Sequence, residues 1–255
     1  MQNNKPVTLI STFDEKGSTI RGKDLVRDLI GEISFTNMIY FYILGTVPTP
    51  SQARILDAVL VTLMDHGMAG AFAARLVYRT APDSIQGAVA AGMLNMGSQF
   101  GGVMEQVGRH LEEIMAADDG DAKAREIVLA YRSTKQPLPG FGHNKFSPED
   151  PRTPKLLAVA EAEGVAGQHI AALRTLSKAV DSVLGKHLTV NATAGMAAVL
   201  GEIGVPWKIM RGFALISRAP GIVGQIFEEM LRPSVGYVTR LAQEAVEYAG
   251  EKPAP

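Results

Sequence analysis

Apolar residues recur every three or four positions over most of this chain, which is the spacing of amphipathic helices. Val107, Leu111 and Ile114 form one such stripe, and residues 168–184 carry a longer one. Residues 1–20 instead predict an extended, irregular start with a turn at 13–17. The pattern predicts helices over 24–31, 37–44, 51–64, 68–78, 84–96, 105–116, 122–133, 154–163, 168–184, 188–201, 206–215, 221–231 and part of 238–255. Because strands and helices do not alternate, the predicted fold class is all-α.

Polar and small residues refine these helices. Ser34 or Thr36 is suited to cap the second predicted helix and Ser51 the third, because each hydroxyl accepts a hydrogen bond from a first-turn N–H. Residues 84–104 and 191–204 are rich in glycine and alanine, which let helix backbones approach closely. These two stretches therefore favour tight helix pairs or a subunit interface over flexible linkers.

Composition and charge exclude several classes of function. The chain has 255 residues, which is long enough to bury a sizeable core. Of these residues, 46% are hydrophobic and 20% are charged. A net charge of −1 gives no overall field that attracts nucleic acid or an anionic membrane. The absence of cysteine excludes disulfides, thiolate nucleophiles and cysteine-based metal sites. Neither nucleic acid nor a membrane is expected as a partner.

Two stretches, 33–53 and 84–104, lack charge for about twenty residues, the length of a membrane span. Both contain polar side chains together with prolines or glycines, so we interpret them as buried helices. The first six residues are polar and lack the apolar core of a signal peptide. Cytoplasmic residence is the resulting expectation.

The stretch from Leu138 to Arg152, with the sequence LPGFGHNKFSPEDPR, gathers chemically useful groups in one short loop. Its prolines and glycines break regular structure, and the backbone N–H groups of Gly140 and Gly142 are expected to be exposed. His143 is suited to proton transfer near neutral pH, and Arg152 to binding a carboxylate. The alternative interpretation is a surface turn that happens to contain a histidine and an arginine.

Several motifs, taken in order, resemble those of the citrate synthase superfamily. The loop is similar to the family signature PG-aromatic-GH followed by DPR. The other similar segments are Ile20–Gly31 with Ser34-Phe35, Asp65-His66-Gly67, Met96–Glu105 with its GxxxGGxxE spacing, Arg218–Gly224, and Arg232-Pro233. The resemblance runs from about residue 9 to 235, and this shared order is more specific than any single motif.

The resemblance implies an architecture and an assembly. It implies a large helical domain over 1–135 and 221–255, and a small lobe over 136–220 that carries the CoA and active-site loop. Members of the family form dimers or higher oligomers. In length the chain is closer to citryl-CoA lyases, and to the lyase module of ATP-citrate lyase, than to typical citrate synthases. Phe100 stands where synthases carry a catalytic histidine, as it does in that module.

The resemblance also assigns roles to residues. The family reaction makes or breaks a bond between the α-carbon of a CoA thioester and a keto-acid carbonyl. His143 would contact the hydroxyl or carbonyl oxygen of the keto-acid part and act there as an acid or base, and His66 would be a second catalytic residue. The residues implied in substrate binding are Arg152, Arg218, Arg232 and Phe100, with Arg232 reaching a partner subunit's site. Those implied in CoA binding are Leu138, Pro139, Gly140, Phe141, Gly142 and Lys145.

Other interpretations of these residues stay open. His66 is also suited to a helix end, where the dipole favours a histidine. Each of the three arginines, taken alone, is typical of an exposed surface cation. His110, His169 and His187 lie on predicted helices without the spacing of metal ligands, so no metal site is expected.

Asn191 departs from the family pattern. The family motif N-V-D-x-x-x-G has an aspartate that handles the proton on the acetyl carbon, whereas Thr189–Gly195 reads TVNATAG and places Asn191 there. An amide cannot take a proton, although it can donate to a thioester oxygen. Asn191 is therefore the third candidate catalytic residue, and condensation by the usual synthase route is expected to be poor.

The function that follows is cleavage of citryl-CoA, or of a related 3-hydroxy-3-carboxyacyl-CoA, to an acyl-CoA and a 2-keto acid. A CoA thioester is the expected substrate, and no tightly bound cofactor is expected. Two alternatives remain. One is a citrate synthase-like acyltransferase that condenses an acyl-CoA with a keto acid through another base. The other is a catalytically silent subunit that binds CoA or citrate.

Overall fold

Helices account for 63% of the computed structural model, which confirms the all-α prediction. The structure describes residues 5–15, 17–98 and 101–251. The helices are α1 (Phe35–Leu44), α2 (Pro50–Thr62), α3 (Gly67–Thr80), α4 (Ile85–Leu94), α5 (Val103–Met115), α6 (Gly120–Ser133), α7 (Arg152–Ala162), α8 (Gln168–Leu184), α9 (Ala192–Glu202), α10 (Met210–Leu231) and α11 (Val235–Ala245). In these ranges no single helix is long and apolar enough to cross a membrane. Only α2 and α3, taken together across the bend between them, reach that length and composition.

The chain begins with a small antiparallel sheet of three strands, in the order β1 (Ser11–Asp14), β2 (Gly17–Ile20) and β3 (Lys23–Asp24). The predicted helix over 24–31 is a five-residue π-helix, Leu25–Leu29, that starts where the Asp24 carboxylate accepts the N–H groups of Val26 and Arg27. Leu29 is buried, but Val26 is 72% exposed. The apolar residues of this segment therefore do not form one buried stripe, which explains why no full α-helix is stabilised here.

Side-chain hydrogen bonds identify the residues that cap the N-termini of α1 and α2. The Ser34 hydroxyl accepts the N–H of Asn37, which confirms Ser34 as the cap of α1. Ser51 is not the cap of α2. Instead, the N–H of Gln52 donates to the Thr49 hydroxyl at 3.3 Å, and the N–H of Thr49 donates to the Gln52 side chain at 2.9 Å. This reciprocal capping box places Pro50 at the first helical position, where its missing N–H costs nothing.

Helix α10 corrects the prediction of two helices over 206–215 and 221–231. A short 3₁₀ turn, Trp207–Ile209, leads into one continuous helix of 22 residues with Pro220 inside it. Ile222 and Ile226 of α10 pack with Ala74 and Ala88 in a buried cluster. This packing outweighs the local loss of one backbone hydrogen bond at Pro220.

Gly221 lets α10 pass close to the end of α2. A Cβ atom built on Gly221 would overlap the carbonyl oxygen of Met64, whereas one on Gly224 would meet nothing within 4 Å. We expect Gly221→Ala to lower the free energy of unfolding by about 1–3 kcal/mol, because the backbones must move apart. The matched variant Gly224→Ala should raise it by about 0.5–1 kcal/mol, the usual gain in helix propensity. Urea denaturation of both variants measures the contrast, and equal effects would contradict this packing.

The described chain divides into two compact units. The first unit is 1–59 with 104–210, and the second is 60–103 with 211–255. These bounds differ from the predicted large domain (1–135 and 221–255) and small lobe (136–220), which stay a prediction.

Helix α9 is the central helix of the first unit, and nearly all of its residues are buried between α7 and α8. A Cβ on Gly195 would come 3.1 Å from the Thr153 side chain, and one on Gly201 would overlap the His169 ring. In the second unit, a Cβ on Gly92 of α4 would come 2.9 Å from Ile222. The prediction of tight helix pairs in both glycine- and alanine-rich stretches is confirmed.

Candidate functional site

In the first unit, the loop 138–152 is built on the segment that leads into α9. Phe141 forms an antiparallel bridge with Val190. The N–H of Gly142 donates to the Thr189 carbonyl at 2.7 Å, and the N–H of Asn191 donates to the Gly140 carbonyl at 3.0 Å. The expected exposure of the Gly142 N–H is therefore wrong, because a neighbouring strand-like segment already accepts its hydrogen bond.

Gly140 is a position that only glycine fits. Its φ is +85°, and a Cβ would come 2.7 Å from the Val107 side chain and 2.8 Å from the Ala194 side chain. The loop thus lies directly against α5 and α9. Of the predicted CoA-binding residues, Leu138, Pro139, Gly140 and Phe141 are buried, Gly142 is half-buried and Lys145 is exposed. Their role in CoA binding stays a prediction.

The environment of His143 fixes which ring nitrogen carries the proton. The backbone N–H groups of Lys145 and Phe146 donate to Nδ1, at 3.1 and 3.0 Å. A nitrogen that accepts two N–H donors cannot itself carry hydrogen, so the neutral imidazole has its proton on Nε2. His143 therefore presents a hydrogen-bond donor to the side of the ring where Arg152 lies.

Arg152 is held by a buried carboxylate. Its Nε and Nη2 donate to the two oxygens of Asp150, at 2.9 and 2.8 Å, and Asp150 is 0% exposed. The N–H of Ala192, in the first turn of α9, donates to the same carboxylate at 2.9 Å. Burial alone would raise the pKa of Asp150, but the hydrogen bonds from Arg152 and Ala192 outweigh it and hold that pKa below its ordinary value.

Nη2 of Arg152 lies 3.4 Å from Nε2 of His143. Because both nitrogens carry hydrogen, this approach joins two donors and no acceptor. A pair of donors held this close is suited to one shared oxygen of a ligand, such as a carbonyl, hydroxyl or carboxylate oxygen.

Both ends of the Asn191 side chain are engaged. Its Oδ1 accepts the N–H groups of Thr193 and Ala194, at 3.1 and 3.3 Å, and so caps α9. Its Nδ2 donates to the Gly142 carbonyl at 3.1 Å. The amide therefore fastens the residue before His143 to the start of α9. This role in the structure was not apparent from the sequence motif.

The second unit holds the other predicted site residues. His66 occupies the position just before α3, but its side chain makes no capping hydrogen bond. The Asp65 carboxylate instead accepts the Gly67 N–H at 2.9 Å and the Gln225 side-chain N–H at 3.0 Å. Burial raises the pKa of Asp65, but these hydrogen bonds, together with the charge of Arg218, bring the pKa below its ordinary value.

Arg218 is 3% exposed, and its Nε and Nη1 have no hydrogen-bond partner among the described residues. A Cβ on Gly70 would come 2.9 Å from Nη1 of Arg218 and 3.0 Å from Cβ of His66, so Arg218 lies beside His66. Burial lowers the pKa of Arg218, and the Asp65 charge only partly offsets this. A buried guanidinium with free N–H groups is a strong indication of an anionic ligand that is held there when bound.

Arg232 lies in a more open setting. It is exposed and lines a groove of about 550 Å³ in the second unit. The other lining residues are Met64, Asp65, Pro220, Gly221, Gly224, Gln225, Phe227, Glu228 and Leu231. Apolar side chains and ion-pairing groups therefore share this surface.

Residues 10–240 match the protein family described as citrate synthase, C-terminal domain. This chain belongs to the citrate synthase family. A solved citryl-CoA lyase from Hydrogenobacter thermophilus is 34% identical, with a TM-score of 0.85, and the match covers 98% of this chain and 96% of that one. The ATP citrate lyase of Methanosaeta concilii, solved in complex with (3S)-citryl-CoA, is 17% identical with a TM-score of 0.78 over 99% of this chain and 43% of that one. At that identity it supports the fold alone.

Among curated relatives, the citrate synthase of Deinococcus radiodurans is 28% identical over 237 residues, which is 89% of this chain and 61% of the relative. A second curated relative, from Mycobacterium tuberculosis, is 30% identical over 203 residues, which is 75% of this chain and 52% of the relative. The chain thus spans about half to three fifths of the length of these two relatives.

For this member of the citrate synthase family, the structure groups the predicted residues into two clusters. His143, Arg152 and Asn191 lie together on the loop and α9 in the first unit, and His66 and Arg218 lie together in the second. Phe100 lies outside the described residues. Their assignments to catalysis and substrate binding stay predictions.

Sequence reasoning missed three residues that organise the loop. They are Phe146, Asp150 and Thr189, whose hydroxyl donates to the carbonyl groups of Phe146 and Pro148 at 3.1 and 2.8 Å. Asp150 was part of the DPR signature, so the motif itself was the available signal. No cluster of three or more metal-ligating side chains is present among the residues that the structure describes.

Proposed function

We propose that this protein is a carbon–carbon lyase that cleaves citryl-CoA, or a related 3-hydroxy-3-carboxyacyl-CoA, into an acyl-CoA and a 2-keto acid. The CoA thioester would be its substrate, with acetyl-CoA and oxaloacetate as the products from citryl-CoA. The similarity to citryl-CoA lyase over nearly the whole of both chains supports this reaction. The observation that carries it is the pair of donors on His143 and Arg152, held 3.4 Å apart.

The chemistry places demands that these groups meet. In cleavage the tertiary hydroxyl passes its proton to water, its oxygen becomes the carbonyl of the keto acid, and the bond to the acetyl carbon breaks. The electron pair of that bond passes into a thioester enolate, which then takes a proton. Negative charge resides on the former hydroxyl oxygen as its proton departs. The Nε2–H of His143 and the Nη2–H of Arg152 would stabilise that charge by hydrogen bonding.

Arginines would recognise the carboxylates. The edge of Arg152 that faces away from Asp150 is available to one carboxylate, because Asp150 occupies only Nε and one N–H of Nη2. Arg218 would bind a carboxylate through Nε and Nη1, which have no hydrogen-bond partner in the described part of the chain. Arg232 and Lys145 are exposed and would serve a carboxylate and a CoA phosphate, respectively.

The decisive experiment is incubation with citryl-CoA, with mass spectrometry of acetyl-CoA and oxaloacetate. We expect both products from the native protein and a loss of about a thousandfold in kcat for His143→Ala. His187→Ala, a change at an exposed histidine, is the matched control and should retain activity. If the native protein binds CoA but forms no product from citryl-CoA, the proposed reaction is wrong for this substrate. A raised melting temperature without product would indicate the silent binding subunit.

Condensation of an acyl-CoA with a keto acid is the second candidate, because the curated relatives include citrate synthases. Asn191 opposes it, since its amide accepts no proton and is engaged at both ends. The arrangement favours cleavage, in which solvent can supply the proton that the enolate takes.

We expect Asn191→Asp to raise condensation of acetyl-CoA with oxaloacetate, because a carboxylate can take the proton from the acetyl carbon. The same change should lower the free energy of unfolding by about 1–2 kcal/mol, because a carboxylate oxygen then faces the Gly142 carbonyl in place of a donor. Release of free CoA and urea denaturation measure the two effects. Asn191→Ser retains a capping oxygen without an acid and should show no gain. Loss of cleavage with no gain in condensation would contradict this role.

The protein is proposed to form a homo-oligomer in the cytoplasm. Large apolar side chains are exposed on the groove side of α10, among them Phe227 and Leu231. Exposed apolar surface of this kind is usually covered by a partner. Sedimentation of the purified protein tests the assembly, and a monomer at all concentrations would refute it.

A further inference from the structure

Phe146 is the aromatic residue of the loop whose ring contacts both His143 and Arg152. It stacks on the His143 imidazole with ring centroids 4.7 Å apart and an angle of 28° between the planes. The guanidinium carbon of Arg152 lies 5.3 Å from the centre of the same ring. Phe146 belongs to the loop that the sequence singles out, but no role was predicted for it.

The two neighbours of Phe146 are otherwise held from one side each. Asp150 fixes one edge of Arg152. The imidazole of His143 is fixed at Nδ1 by two backbone N–H groups, one of which belongs to Phe146 itself. Neither set of contacts fixes the tilt of the imidazole plane or the orientation of the guanidinium plane. The Phe146 ring supplies both constraints.

The stacked arrangement is physically favourable for each partner. An offset contact between aromatic rings is worth more than its buried area, and a guanidinium is attracted to the electron-rich face of a ring. The backbone of Phe146 is itself anchored, because its carbonyl accepts the Thr189 hydroxyl. A leucine would fill similar space but would offer no flat face to either group.

We propose that Phe146 is a positioning residue that holds the imidazole of His143 on its backbone donors and sets the spacing between Nε2 of His143 and Nη2 of Arg152. Its effect on turnover rests on the proposed lyase function. Its effect on the His143 ring does not, and it is measurable in the protein without substrate.

Three variants test the kinetic part. Phe146→Leu should lower kcat for citryl-CoA cleavage by about tenfold to a hundredfold with little change in KM, because misplaced donors weaken the transition state. Phe146→Tyr keeps the aromatic face and should restore kcat to within about twofold of native. Phe41→Leu, at a buried phenylalanine of α1, is the matched control: it should lower the melting temperature without lowering kcat. Native kcat in Phe146→Leu, or an equal loss in Phe41→Leu, would overturn the proposal.

Nitrogen NMR of the imidazole tests the positioning directly. In the native protein the two ring nitrogens of His143 should have well-separated ¹⁵N shifts, as a fixed Nε2–H tautomer requires. In Phe146→Leu the ring leaves its donors part of the time, and the two shifts should move towards each other, while Phe146→Tyr keeps them apart. Unchanged separation in Phe146→Leu would overturn the proposal, whether or not the native protein cleaves citryl-CoA.

Discussion

Arg218→Met is expected to abolish most activity while leaving the protein at least as stable as the native form. Arg218 is buried, and two of its nitrogens lack any partner among the described residues. The ligand-free protein therefore holds a desolvated charge that a methionine of similar length would remove, which should raise the free energy of unfolding by about 1 kcal/mol or more. A substrate carboxylate would lose its partner, and kcat/KM should fall about a thousandfold.

Arg75 provides the matched control, since it is also 3% exposed and lies in the same unit. It donates to Glu229 at 3.0 Å and to Glu228 at 2.6 Å, and it also contacts Gln225. Arg75→Met leaves the buried Glu229 without its charged partner and should cost about 3 kcal/mol or more of stability.

Melting temperatures with and without citrate, together with citryl-CoA kinetics, separate the two arginines. The native protein should be stabilised by the tricarboxylate, and Arg218→Met should lose that stabilisation. If Arg218→Met retains native kcat/KM and native stabilisation by citrate, Arg218 does not bind the substrate.

Asp150→Asn is expected to lower both the stability of the protein and its turnover. The native carboxylate is fully buried and receives hydrogen bonds from the Arg152 side chain and from the first turn of α9. Removing its charge should lower the free energy of unfolding at pH 7 by about 3 kcal/mol. The loss is not larger because the Arg152 side chain is partly exposed, so water can solvate its guanidinium once the ion pair is gone. Release of Arg152 and of the loop should lower kcat about a hundredfold.

The stabilisation by Asp150 is expected to depend on pH in a definite direction. Because the pKa of Asp150 in the folded protein lies below its ordinary value of 3.8, the ionised group stabilises the fold fully above that value. This contribution is lost as pH falls below 3.8 towards the folded pKa. The stability difference between native protein and Asp150→Asn should therefore shrink from pH 7 to pH 3 in urea titrations.

Asp119→Asn serves as the control, because Asp119 is an exposed cap of α6 that accepts the Ala122 N–H. It should cost less than about 1 kcal/mol. A loss for Asp150→Asn no larger than that of Asp119→Asn would show that the buried pair does not stabilise the loop.

The local sequence pattern was sufficient to predict features that depend on a single stretch of the chain. The predicted helix over 168–184 has the bounds of α8, and Gly45 ends α1 in the left-handed conformation that glycine favours. Helix capping was predicted less well, because Thr49 and Ser51 are both suited to cap α2 by type. The preference for Thr49 comes from its reciprocal bond with Gln52.

The sequence by itself determined the helical class, the family resemblance and the loop that carries His143 and Arg152, because each depends on residues close together in the chain. Tertiary structure decided the rest. Three features each depend on a residue distant in sequence. They are the continuity of α10 at Pro220, the hydrogen bond that the Gly142 N–H donates, and the hydrogen bonds at both ends of the Asn191 side chain. That Nε and Nη1 of Arg218 have no hydrogen-bond partner among the described residues depends on every group around them. The hydrogen-bond partners and the burial of a side chain depend on residues that folding brings around it. A sequence motif gives only the type of the side chain at that position.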